Sequence, residues 1–209
     1  MNAMRERAKE HFPTVLLTLL SIVQALALEL LWAHLHEADY LFELTWIAVL
    51  CWAQVVATLL SVVLIWVTYA SNVMRFRWVP VTSDSVFPFL IGLIEFMLID
   101  TLGADEIGQW LLLVAAVFGV MHWVAHITMW RARQDSDNEA FFVGVSPAQL
   151  RDFYPQFAIV GALALAGGYM WVSGETGTIT MLFLLATNGL LIRQFHEASV
   201  FWKRSIADD

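Results

Sequence analysis

Apolar residues run through this chain in six long blocks, at residues 13–33, 45–70, 86–103, 108–130, 156–173 and 178–200. Each is close to the ~20 residues that an α-helix needs to cross a bilayer. Backbone in hydrocarbon must satisfy its own hydrogen bonds, and a helix does so within one segment. The pattern predicts an all-α integral membrane protein, a single six-helix domain over residues 1–209. Short connections at 34–44, 104–107 and 174–177 should fold the spans into three hairpins.

Aromatic–proline pairs, Phe12-Pro13, Phe87-Pro88 and Tyr154-Pro155, stand at the start of the odd-numbered spans. Proline suits a first helical turn, where its missing N–H needs no partner. A triplicated hairpin would give the same pattern, but helix-start chemistry accounts for it without one. The longest polar stretch, 131–154, contains Ser146-Pro147-Ala148-Gln149, which reads as an N-cap, a first-turn proline and a capping box. It predicts a short interfacial helix over 146–153. The Phe141-Phe142 pair is expected to dip into the headgroups.

Basic residues orient the bundle. Ten of the eleven lie before span one, between spans two and three, between four and five, or after span six, and the other three loops have none. The rule that cytoplasmic loops are rich in Lys and Arg places both termini in the cytoplasm. Most of the ten tryptophans fall near the two predicted interfaces, as an aromatic belt requires.

Composition agrees. Hydrophobic residues make up 59% and charged residues 14% of the chain, against about 45–50% and about 25% in soluble domains. A soluble enzyme, a nucleic-acid binder and a disordered chain are excluded, and the formal charge of -8 also disfavours nucleic acid. The first apolar run is too long for a signal core and lacks a cleavage site, so no cleaved leader is expected. The setting expected is a bacterial inner membrane. The lone Cys51 reads as a packing residue. Sorted by topology, the outer loops carry six acidic and no basic residues.

Polar residues inside the spans are costly and are where function is sought first. Counted at ~1.5 Å per residue from the flanking Pro or Trp, Glu95 (~10 Å), His122 (~12 Å), Arg193 (~13 Å), His196 and Glu197 (~8–9 Å) share an inner layer. Glu95 is expected to meet His122 or Arg193. Gln24 (~16 Å) and Asp100 (~18 Å) fall near the midplane and are expected to meet each other. Glu29 (~24 Å) lies near the outer surface. Glu29, Asp100 and Glu95 then form a ladder of carboxylates across the membrane, with Arg193, Glu197 and Asn188 as network partners.

Three readings follow. The leading one is a small transport or channel-type protein passing protons or a small cation along that ladder, since carboxylates and histidines form proton relays in transporters. The second is a metal- or haem-dependent oxidoreductase using His122, His126, His196 and Glu95, whose imidazole and carboxylate groups suit zinc, iron or copper. His122 and His126 share a helical face, but the glutamate of the zinc-protease pattern is missing. The third is a non-catalytic subunit or sensor whose polar layer only fixes helix register. No transition metal or haem is required by any motif, and an enzyme is the less favoured class. In the outer loop His34, His36, Glu37, Asp39 and Glu43 read as a solvated acidic cluster. No span holds a lysine, and no P-loop, nucleophile elbow or potassium-filter string occurs. Span five is rich in small residues, and a face of Gly161, Ala164 and Gly168 is a candidate surface for a homo-oligomer, with lipid the other partner.

Overall fold

The structure is a computed structural model that describes residues 3–207, with side-chain surroundings over 3–203. Six of its helices are long and apolar enough to cross a membrane. They are α1 (Ala3–Glu37), α2 (Trp46–Arg75), α3 (Thr82–Asp100), α4 (Ile107–Arg133), α6 (Tyr154–Ser173) and α7 (Thr178–Ala207), with a one-turn helix α5 (Glu139–Phe142) between α4 and α6. No strand occurs among the described residues.

Helices α1 to α4 form the centre: α1 lies on α3 and α2, and α3 also lies on α4. Outside this group α6 rides on α4 and α7 on α2. Half of the most apolar stretch of α2 and of α3 is buried, but only 22% in α6 and α7, so these two are peripheral. Although one short turn joins them, α6 and α7 are not packed on each other along their length. Glycine sets the α4–α6 contact: a Cβ on Gly108 would run into the backbone nitrogen of Trp171, and one on Gly167 would come 2.8 Å from the Gly108 carbonyl oxygen.

One end of the bundle is tied by ion pairs. Lys9 near the start of α1 reaches Asp135 at 2.7 Å, and Arg131 at the end of α4 pairs with Asp84 in the first turn of α3. Asp84 also accepts from the Trp78 indole at 3.1 Å and from the Val81 backbone at 3.0 Å, so one carboxylate caps α3 and anchors two neighbours. At the other end the Trp46 indole donates to the Thr176 carbonyl at 2.8 Å, pinning the α6–α7 turn to the start of α2.

Several expectations change. Only Pro155 sits in a first turn; Pro13 and Pro88 lie inside α1 and α3, which begin earlier in polar sequence. The segment expected to be helical over 146–153 is a 3-10 turn at Leu150–Phe153 alone, started by the Asp152 carboxylate accepting from the Gln149 N–H at 2.8 Å. Phe141 and Phe142, both half-buried, pack their rings on Phe76, at 4.9 and 5.9 Å, and Arg75 and Arg133 stack on their faces. Trp110, in the first turn of α4, is fully buried and donates to Thr58 Oγ1 at 3.0 Å, so this tryptophan packs inside the bundle.

Candidate functional site

Among the described residues, Glu95 is the one carboxylate in the middle of a span with no exposed surface. It sits on the face of α3 that meets α1, where a Cβ on Gly92 would strike Val23 Cγ1, so the two helices approach closely. Close approach brings Gln24 of α1 onto the carboxylate. Its Nε2 donates to both oxygens, at 3.1 and 2.9 Å. Among the described residues no basic side chain pairs with Glu95, and the buried Gln24 Oε1 has no partner.

The arrangement has two ways to satisfy itself. Ionised, the carboxylate takes both contacts from one amide, and the amide oxygen is left over. Protonated, the acid gains an O–H donor. A small rotation of the amide then lets that O–H donate to Oε1 while Nε2 donates to the other carboxyl oxygen. The orphan acceptor is therefore what a proton on Glu95 would bond.

Outward from this pair, α1 and α3 part to form an open cleft of about 420 Å³ lined by Leu30, His34, Glu37, Phe96, Met97, Ile99 and Asp100. Asp100 is the last residue of α3 and is exposed, not a mid-helix group paired with Gln24. The reason is the register: α3 starts at Thr82, so counting depth from Pro88 sets Asp100 too low and misaligns Gln24 with it. Asp100 is ~7.5 Å beyond Glu95 along the helix. Across the cleft His34 Nε2 meets the Tyr40 hydroxyl at 3.2 Å. Burial raises the Tyr40 pKa above its ordinary value. Glu29 is exposed on α1 and does not line the cleft.

The other inner-layer residues are not assembled. Glu95 meets neither His122 nor Arg193. Arg193 pairs with Glu197 at 2.8 Å on an exposed face of α7, where His196 is also exposed. His126 stands edge-on to Phe153 at 4.9 Å. Among the described residues no three His, Cys, Asp or Glu side chains converge as a metal site requires. Asn188 ties α7 to α2, donating to the Ala53 carbonyl at 3.0 Å.

His122 instead lines a second cleft of about 170 Å³, with Ser61, Leu64, Ile65 and Thr68 of α2, Phe118, Met121 and Ala125 of α4, and Leu191 and Gln194 of α7 among its walls. A small cavity of about 20 Å³, room for one water, shares Thr68, Met121 and Ala125 with it and continues to Asn72, Trp78 and Asp84. The sequence carried an unused signal for this side. Gln54, Thr58, Ser61, Thr68 and Asn72 follow at intervals of four, three, seven and four, a polar stripe on one face of α2. Thr58 accepts from the Trp110 indole and Gln54 Oε1 from the Gly103 N–H, while the buried Gln54 Nε2 has no partner among the described residues.

The chain matches no family model, and no curated protein or solved structure is significantly similar to it.

Proposed function

We propose that this chain is a small multi-pass transport or channel-type protein that passes protons or a small cation, with Glu95 as the carboxylate that binds them. The observation that carries the reading is the isolation of Glu95: wholly buried, and hydrogen-bonded to a neutral amide without a basic counter-charge. A buried carboxylate without a cation is stable only if it holds a proton or a metal cation. The cleft above it, with Asp100, Glu37 and His34, is the mouth from which the ion enters.

In this reading both termini face the cytoplasm of a bacterial inner membrane, because the basic residues gather at the end that holds Lys9, Arg75, Arg131 and Arg133. The spans enter the bilayer as three hairpins. A homo-oligomer forms on the outer face of α6, where an added Cβ on Gly161 or Gly168 would meet nothing within 4 Å.

The test is flux in proteoliposomes carrying a trapped pH indicator, with a potassium-diffusion potential as driving force. Wild type should acidify the lumen. Glu95→Gln should reduce the rate to that of empty vesicles, and Asp100→Asn should slow it several-fold. Undiminished flux in Glu95→Gln, or none in wild type under either proton or sodium gradients, overturns the proposal. The second result would leave the Gln24–Glu95 pair as a lock between α1 and α3.

A further inference from the structure

The cleft between α2, α4 and α7 contains polar groups that the protein itself does not satisfy. Ser61 is only 5% exposed, lines the cleft, and makes no hydrogen bond among the described residues. The hydroxyl of Thr68 and the amide of Gln194, both half-buried, also line the cleft and make no hydrogen bond among the described residues. His122 uses Nδ1 on the Phe118 carbonyl at 2.7 Å. A carbonyl accepts only, so Nδ1 carries the proton and Nε2 of the neutral ring is an acceptor; Nε2 has no partner among the described residues. In a membrane such groups require one, because hydrocarbon offers none.

The shape of the cleft says from where the partner comes. Its floor is α2 and its walls are α4 and α7, which do not pack on each other along their length. The side opposite the floor therefore faces the bilayer. The Trp46–Thr176 contact pins the turn that closes the α6–α7 gap at its far end. A volume of about 170 Å³ accommodates a single six-membered ring, since an engineered cavity of about 150 Å³ takes up benzene. Phe118 and Met121 offer the aromatic and thioether surfaces that rings favour.

We propose that this cleft binds a membrane-dissolved molecule with a hydroxyl-bearing aromatic ring, of the phenol or hydroquinone class, that enters sideways from the lipid. The ring O–H donates to His122 Nε2, and Ser61 or Gln194 donates back to the oxygen. The tail stays between α4 and α7 in the bilayer. The site is separate from Glu95, and its occupancy does not depend on ion flux.

The probe is para-octylphenol, compared with octylbenzene, which has the same ring and tail without the hydroxyl. Binding is measured by equilibrium dialysis of the full chain in micelles. Wild type should bind para-octylphenol saturably and octylbenzene about 10- to 30-fold more weakly, the worth of two hydrogen bonds. His122→Phe should bind the two probes alike, with its thermal midpoint unchanged. Ala125→Leu fills the cleft and should abolish saturable binding of both. Equal affinity of wild type for the two probes, absence of saturable binding, or a hydroxyl preference that survives in His122→Phe overturns the proposal. If a variant fails to fold, the comparison of the two probes on wild type decides alone.

Discussion

At the α1–α3 seam a carboxylate and an amide are shut in together, whereas between α2, α4 and α7 Ser61, Thr68, His122 and Gln194 line open space. The same chemistry, a polar group at membrane depth, is handled in opposite ways. The first seam is closed because Gly92 lets α1 come close enough for Gln24 to reach Glu95. The second stays open because α6 and α7 are bound to different central helices and diverge from a common turn. Dry pairing suits a group that changes charge in place. A wet or lipid-filled cleft suits a group that exchanges partners.

This contrast can be broken most severely at the glycine. Gly92→Leu should separate α1 from α3 and cost about 3 kcal/mol of unfolding free energy, the upper end of overpacking penalties, measured by steric trapping in bicelles. Gln24→Leu removes the sole donor to Glu95 among the described residues and should cost about 1–2 kcal/mol. The double variant Gln24→Leu/Glu95→Leu should regain most of that loss, because removing both partners leaves nothing unsatisfied. A loss in the double variant equal to the sum of the singles would mean that the pair is not coupled. Smallest of all, Ala125→Leu in the open cleft should change stability by less than ~0.5 kcal/mol, since the added methyls enter space already present. Glu95→Gln keeps a hydrogen bond to Gln24 and should likewise be near neutral in stability, which separates its effect on flux from any effect on folding.

The six helices were legible because hydrocarbon imposes length and apolarity on every span. Depth was less legible. Pro13 and Pro88 look like helix starts, but α1 and α3 begin up to three turns earlier, since nothing about a proline marks the membrane boundary itself. That offset is why depth counted from the prolines aligns Glu95 with a histidine layer, whereas its partner is Gln24. The metal-type cluster failed for a related reason: shared depth does not give shared facing, and His126, His196 and Glu95 look in different directions onto Phe153, the α7 exterior and α1. The stripe on α2 was readable at heptad-like spacing. Its short neutral side chains are easily overlooked in an apolar run, because none of them interrupts it.

Gln24 and Glu95 are 71 residues apart in sequence. At a synthesis rate of ~5–20 residues per second, roughly 4–14 s pass between the appearance of the amide and that of its carboxylate. During that interval α1 carries a polar side chain whose partner has not been made. The insertion machinery must shelter it, or α1 must wait near the aqueous side until α3 arrives. The register of α1 is thus set late in biogenesis, by a helix that emerges third, and slowing translation between the two should lengthen the lifetime of a half-assembled, protease-sensitive form.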